Sequence, residues 1–335
     1  MARTKTAEAI VLSQFGGPEE LRLQSVDVPP PGPGQLRIRQ LAIGVNYHDL
    51  YVRTGLYRTL ALPGIPGLEG VGVIEALGPG TAPFSPGDRI AYVHSGYGAY
   101  ASLRLLPADA AIPLADAIDP IPACAMLLKG LTAGVLVTEA HRLKAGEVAL
   151  VHAAAGGVGH LLCQWAVQLG ARVIATVGSD EKASLLADYG CTAIVNYNRE
   201  DFAERVLQLT GGRGADVVYD AVGAATFDGS LRSLAVRGHL AVYGQSSGPI
   251  PPFEISRLAP KSASVTRVGY SHYLPDAEAR RGMARRLFEL VKSGALVPRP
   301  PRVLPLADAA EAHRLLEGRA LGPIVLVPEG GRGDA

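Results

Sequence analysis

The residues that carry chemistry lie first in one run, Val148-Ala149-Leu150-Val151-His152-Ala153-Ala154-Ala155-Gly156-Gly157-Val158-Gly159. A short apolar stretch of strand type meets a turn of very small residues, and a helix-like segment follows from Val158 to Leu169. Such a turn lets the backbone close on a pyrophosphate, while free N–H groups at the helix start face its charge. The motif reads Ala154-x-Gly156-x-x-Gly159, with alanine at the first of the three usual glycine positions. Taken alone, the same pattern suits a tight strand–helix junction equally well. The next strand-like run, Arg172–Val177, ends in Val177-Gly178-Ser179. An NAD site carries an acidic side chain at that point, about 20 residues on, for the ribose 2′-hydroxyl. A carboxylate there would repel a 2′-phosphate, and its absence removes that obstacle. Ser179 offers a hydroxyl and Lys182 a compact positive charge. The alternative for Lys182 is a solvated side chain in the first turn of the next helix. Together these residues predict NADPH rather than NADH.

Positioning such a site takes an alternation of strands and helices, which the sequence supplies from about 126 to 267. Strands are expected near 148–152, 172–177, 193–196, 216–220, 239–243 and 264–267, with helices at 158–169, 181–189, 201–210 and 227–236. The pattern predicts an α/β fold with a doubly wound parallel sheet, right-handed crossovers and a cofactor across the carboxyl ends of the strands. Residues 1–125 read instead as short strands broken by turns such as Pro29-Pro30-Pro31-Gly32-Pro33-Gly34 and Pro86-Gly87-Asp88, a partly closed β-barrel. Residues 268–335 carry a helix at Ala277–Ser293, a second near Leu306–Glu317 and a strand at Ile324–Val327, too little for a domain, so they are expected to return and complete the first one. Arg280, Arg281, Arg285 and Arg286 read as a solvated helix face.

The chain of 335 residues, 48% hydrophobic and 19% charged, is long enough for two sizeable cores. A formal net charge of +1 gives no electrostatic case for a nucleic-acid or membrane-surface partner. Cys124, Cys163 and Cys191 are scattered without metal spacing and suit a reducing cytoplasm. The N-terminal segment lacks a signal-peptide core, and no run of about 18 apolar residues suggests a membrane span.

Several stretches in this order resemble one family. They are Phe15-Gly-Gly-Pro18, Ala42-Ile-Gly-Val-Asn46, Arg53-Thr-Gly-Leu-Tyr57, Gly87-Asp-Arg89, Lys129-Gly-Leu-Thr-Ala133, His152 to Gly159, Gly178-Ser179 with Lys182, Asn196-Tyr197, Val218 to Gly223, Gly244 to Gly248 and Thr266-Arg267. The chain is similar to the zinc-free quinone oxidoreductases, the ζ-crystallin-like branch of the medium-chain dehydrogenases/reductases. The resemblance implies a GroES-like β-barrel catalytic domain, a Rossmann-type cofactor domain, NADPH-dependent reduction of quinones, and a dimer or tetramer. By position, it places Asn46 and Lys129 at the nicotinamide half and Ala155, Gly156, Gly157 and Val158 along the pyrophosphate. It places Gly178, Ser179, Lys182 and Tyr197 at the 2′-phosphate end, and Val222, Tyr243, Gln245, Ser246, Ser247, Arg267 and Arg319 around the rest of the cofactor. The chain departs from the familiar pattern at Gln245, where asparagine is common, at Arg58, where proline is usual, and at His48.

Zinc members of the wider superfamily hold the metal with cysteine, histidine and a further cysteine or acid. The first two positions are Asn46 and Leu68 here, neither a usual zinc ligand, so no metal is expected and alcohol dehydrogenation by zinc is disfavoured. Hydride delivery then suits an acceptor that is already electrophilic, a quinone or another conjugated carbonyl. Its oxygen still needs a proton or a hydrogen bond. Asn46, Tyr51 and Tyr57 are donors on one loop-to-helix stretch, and His48 is a candidate relay. Asp49 is expected to brace that loop, and His152 to structure the cofactor turn. An enone or 2-alkenal reductase is the close rival. A non-enzymatic NADPH-binding crystallin or RNA-binding protein is the other, although the near-neutral charge gives RNA binding little support. The stretch Ser264-Val265-Thr266 is a candidate for edge-to-edge pairing in a homodimer.

Overall fold

A computed structural model describes residues 3–318 and 321–329. The chain forms two compact units. The first comprises Met1–Leu128, Asp276–Gly282 and Arg299–Ala335, and the second Lys129–Pro275 and Met283–Pro298.

The first unit is organised on strand Gln35–Val45, which pairs antiparallel with Glu69–Leu77, Leu103–Pro107 and Ile324–Val327. Glu69–Leu77 passes the sheet on to Arg89–Val93 and then Ala111–Pro113. Arg302–Pro305 runs parallel beside Ile324–Val327, so the last strands of the chain join the sheet begun by the early ones. A hairpin of Lys5–Leu12 and Leu21–Val28 stands beside it. Ile38, Ile43, Ile74, Ile90 and Leu326 are all but fully withdrawn from water, each stabilising by roughly 1.5–3 kcal/mol. The strands Leu21–Val28, Leu103–Pro107 and Arg302–Pro305 are not apparent in the sequence. Leu21–Val28, Leu-Arg-Leu-Gln-Ser-Val-Asp-Val, exposes most of its residues, and its polar side chains hide the alternation.

In the second unit six parallel strands, Val148–Val151, Arg172–Val177, Ala193–Asn196, Ala215–Asp220, Leu234–Val242 and Ser264–Arg267, lie in the order third, second, first, fourth, fifth, sixth. This is the doubly wound order in which ligands bind outside the carboxyl ends, at the switch between the first and fourth strands. All four residues of Val148–Val151 are buried, as a strand covered on both faces requires. Helices Gly159–Gln168, Asp180–Ser184, Phe202–Leu209 and Phe227–Ser233 fill four connections. Asp201 caps Phe202–Leu209 by accepting from the N–H groups of Ala203 and Glu204. The helix expected at 227–236 stops at Ser233, because strand Leu234–Val242 begins there, with Arg237 at φ +63° within it. The helix expected at 181–189 is five residues followed by a separate turn at Ala187–Tyr189.

Two expectations need correction. Pro120–Ala140 is a 21-residue helical stretch long and apolar enough, by length and composition alone, to cross a bilayer; it is mostly buried within the protein, as core helices are. The arginines of helix Ala277–Lys292 are not simply a solvated face. Arg280 donates to the Asp109 carbonyl and Arg281 to those of Ala111 and Ala108, while Arg281 lies over the Phe84 ring and Arg286 over that of Trp165.

Candidate active site

In the first unit, Asn46 precedes helix Tyr47–Arg53, and its backbone N–H donates to Asp49 Oδ2 at 2.8 Å. This local bond is part of a capping box and satisfies a backbone donor at the start of the helix. The Asn46 amide donates to Glu69 Oε1 at 2.8 Å, and Glu69 Oε2 accepts the Leu128 N–H at 2.8 Å. Asp49 braces the helix from below, accepting also from the Tyr100 hydroxyl at 3.2 Å. That hydroxyl shares a second bond with His313 Nε2 at 3.0 Å, and His313 Nδ1 faces Arg53, which pairs with Glu317. Burial and the Arg53 charge lower the His313 pKa to about 3, so the ring is neutral at pH 7.

On the same helix, His48, Tyr51 and the following Tyr57 form an aromatic cluster. The His48 and Tyr57 rings meet edge to face at 5.3 Å, and Tyr51 and Tyr57 at 5.1 Å. His48 Nε2 lies 3.0 Å from the Tyr97 hydroxyl, which in turn bonds the Thr59 hydroxyl. Burial lowers the His48 pKa to about 4 and raises that of Tyr97. At neutral pH the chain Thr59–Tyr97–His48 therefore holds neutral groups with transferable protons, running from exposed Thr59 to half-buried His48. The structure thus brings together Asn46, His48, Tyr51 and Tyr57. It adds Tyr97, Thr59 and Glu69, which sequence reasoning did not place in the site. Tyr97 stands at φ +58° in Ser95-Gly96-Tyr97-Gly98, where the glycines signal only a turn.

In the second unit the expected cofactor residues follow the ends of strands. After the first strand come Ala155, Gly156, Gly157 and Val158. Gly156 N–H bonds the Ala153 carbonyl at 2.8 Å, with Ala153 itself at φ +49°. A Cβ on Gly159 would stand 2.8 Å from the Ala154 Cα, so only glycine permits the helix to start this close to the turn. Lys129, on helix Pro120–Val135, lays its stem over the same turn, since a Cβ on Gly157 would lie 3.2 Å from its Cδ. His152 is fully buried and faces Thr176 Oγ1 at 2.8 Å and Ser230 Oγ at 3.0 Å, tying the turn to two neighbouring elements.

After the second strand, Gly178 lies beneath Tyr197, which follows the third strand; a Cβ on Gly178 would approach the Tyr197 ring carbon Cζ at 3.0 Å. Ser179 Oγ accepts the Lys182 N–H at 3.2 Å, leaving the hydroxyl proton free to donate. After the fourth strand, buried Asp220 gathers the N–H groups of Val222 and Gly223 and the hydroxyls of Thr226 and Ser230. Val222 then accepts from the Ser247 N–H at 2.8 Å, which places Tyr243, Gln245, Ser246 and Ser247 beside it at the end of the fifth strand. Arg267 ends the sixth strand, with its guanidinium on the Val242 carbonyl at 3.2 Å. Arg319 lies outside the described residues. Among the described residues, no three His, Cys, Asp or Glu side chains gather as a metal site.

A sheet of this order, with its small-residue turn and ring of strand-end side chains, defines a dinucleotide-dependent oxidoreductase. Residues 157–288 match the family described as zinc-binding dehydrogenase, and residues 32–116 the alcohol dehydrogenase GroES-like domain. A quinone oxidoreductase of Pseudomonas aeruginosa is 41% identical over 324 residues, covering 96% of this chain and all of the relative. A 2-haloacrylate reductase from a Burkholderia species is 40% identical over 329 residues, covering 96% and 99%. The crystal structure of Escherichia coli quinone oxidoreductase complexed with NADPH is 38% identical and superposes with a TM-score of 0.91 over 97% of this chain and all of that one. The chain belongs to the quinone oxidoreductase family of the medium-chain dehydrogenases/reductases.

Proposed function

We propose that this enzyme uses NADPH to reduce quinones by hydride transfer without a catalytic metal. The observation that carries the reading is the meeting of Gly178, Ser179, Lys182 and Tyr197, which offers a hydroxyl and an ammonium where an acidic side chain would select NADH. The Escherichia coli relative complexed with NADPH supports it. When bound, NADPH supplies the hydride. The turn at 155–158 would hold the pyrophosphate at the start of helix Gly159–Gln168, and the Lys129 stem, packed over Gly157, braces that turn.

One proton is still needed at the acceptor oxygen. Asn46 is the fixed hydrogen-bond donor to that oxygen, not the source of its proton, since Glu69 and Asp49 hold its side chain and backbone. Tyr51 and Tyr57 are further donors. His48 passes a proton in from Tyr97, and Thr59 replenishes it. Zinc independence is supported by donor chemistry, since Asn46 and buried Leu68 offer neither the thiolate nor the imidazole that zinc takes at these positions.

The 2-haloacrylate reductase relative favours a second reading, hydride delivery to a conjugated carbon. Assays with NADPH and NADH against 1,4-benzoquinone, 9,10-phenanthrenequinone, a 2-alkenal and 2-chloroacrylate separate the two. The proposal expects quinone turnover, a higher kcat/KM with NADPH, and no loss of rate after dialysis against a chelator. Faster turnover of the alkenal or haloacrylate than of either quinone would favour the second reading, and an NADH preference would overturn the cofactor assignment.

A further inference from the structure

The segment that follows the third strand folds back over the segment that follows the second. Tyr197 covers Gly178, and the Asn198 amide donates to the Gly178 carbonyl at 2.7 Å. Two further contacts fall on one carboxylate. The Asn196 amide donates to Asp180 Oδ1 at 2.8 Å, and the Arg199 guanidinium pairs with Asp180 Oδ2. Asp180 is the residue next to Ser179, at the start of the helix that carries Lys182.

This arrangement resolves a conflict within the site. A 2′-phosphate carries close to two negative charges and would meet a helix turn holding Asp180 and Glu181 against Lys182 alone. That turn is net negative, which favours a ribose hydroxyl over a phosphate. Arg199 brings the local charge to zero and draws one carboxylate aside. We propose that Arg199 is a specificity-determining residue for the adenosine 2′-phosphate: it neutralises Asp180, so that Lys182 can hold the phosphate with only Glu181 against it. This rests on the NADPH reading above. The pair is 70% and 55% exposed, so it adds little to stability.

The test is calorimetric titration of the full chain with NADPH and NADH, on wild type, Arg199→Ala, Asp180→Asn and the double variant. Arg199→Ala is expected to weaken NADPH about five- to tenfold, the size of one uncompensated charge near a dianion at the protein surface, and NADH by less than about twofold. Adding Asp180→Asn is expected to restore NADPH affinity to within about twofold of wild type, because the opposing charge has gone. Unchanged NADPH affinity in Arg199→Ala overturns the proposal, as does equal weakening of both cofactors, which would mark a loop-placing role. A double variant no better than Arg199→Ala overturns it too, since Arg199 would then act by direct contact. Equal affinities of the wild type for NADPH and NADH would fail the cofactor reading itself, before any variant is compared, and the proposal with it.

Discussion

Asn46 and Glu69 hold each other inside the first unit, amide to carboxylate at 2.8 Å, with Glu69 wholly buried and its other oxygen on the Leu128 N–H. The pair is long-range, 23 residues apart in the chain, and it joins the start of helix Tyr47–Arg53 to strand Glu69–Leu77. Glu69 therefore orients the amide with no freedom to swing, which is what a donor aimed at a developing oxyanion needs.

Replacing Asn46 by Ala removes that donor and leaves Glu69 Oε1 without its amide. We expect kcat/KM for a quinone with NADPH to fall by at least about tenfold. A stability loss of roughly 1–3 kcal/mol should accompany it, the cost of stripping a partner from a buried polar group. Steady-state rates and urea unfolding check the two together. An unchanged kcat/KM would remove Asn46 from the mechanism.

Tyr97→Phe interrupts the path from Thr59 to His48 without disturbing the ring contacts. The expected result is a several-fold lower kcat with KM for the quinone little changed, because the proposed relay uses the hydroxyl for proton supply and not for binding. Equal loss in kcat and rise in KM would instead make Tyr97 part of the acceptor's seat.

The two units differ in how far they can be read from sequence, and the reason is range. Residues that follow strand ends announce themselves locally: Gly156 and Gly159 are glycines where a Cβ would meet the backbone of Ala153 or Ala154, and Ser179 and Lys182 sit in one helix turn. Tyr97 meets His48 across 49 residues of chain, and His313 meets Tyr100 across 213. No local pattern encodes such contacts: the spacing of Ala309, Ala312, His313 and Leu316 puts His313 on the inward face of its helix, but not which side chain it meets there. Asp220 reads as the polar end of a strand, yet it organises the loop that carries Val222.

Both His48 and His313 are held neutral by burial, with pKa values lowered to about 4 and about 3. The unfolded chain, near 6.5, binds protons that the folded one refuses, so stability is complete above that pH and is lost as pH falls toward 4. Each ring contributes a slope of at most about 1.4 kcal/mol per pH unit. Urea midpoints from pH 7 to 4.5 should fall steadily in wild type and less steeply in His48→Asn. Parallel profiles would show that His48 is not titrated this way.

Lys182→Ala should weaken NADPH about tenfold or more and leave NADH nearly unchanged, because the proposed role of its ammonium is to hold the 2′-phosphate, which NADH lacks. Fluorescence titration of the bound nicotinamide reads both affinities directly. Equal weakening would return Lys182 to a solvated or structural role.

Strand Ser264–Arg267 is the outer strand of the six-stranded sheet, and its residues are exposed or only partly buried. The outer side of such a strand is where a second copy of itself can add, backbone to backbone. A two-fold axis through that edge would pair the strands antiparallel and extend the sheet across two subunits. Light scattering should then give twice the chain mass of 34.9 kDa. Val265→Pro, which cannot donate in a ladder, should shift the mass toward the single chain while leaving NADPH affinity within about twofold. A wild type that scatters as one chain would refute the pairing, and a dimer that survives the proline would place the interface elsewhere.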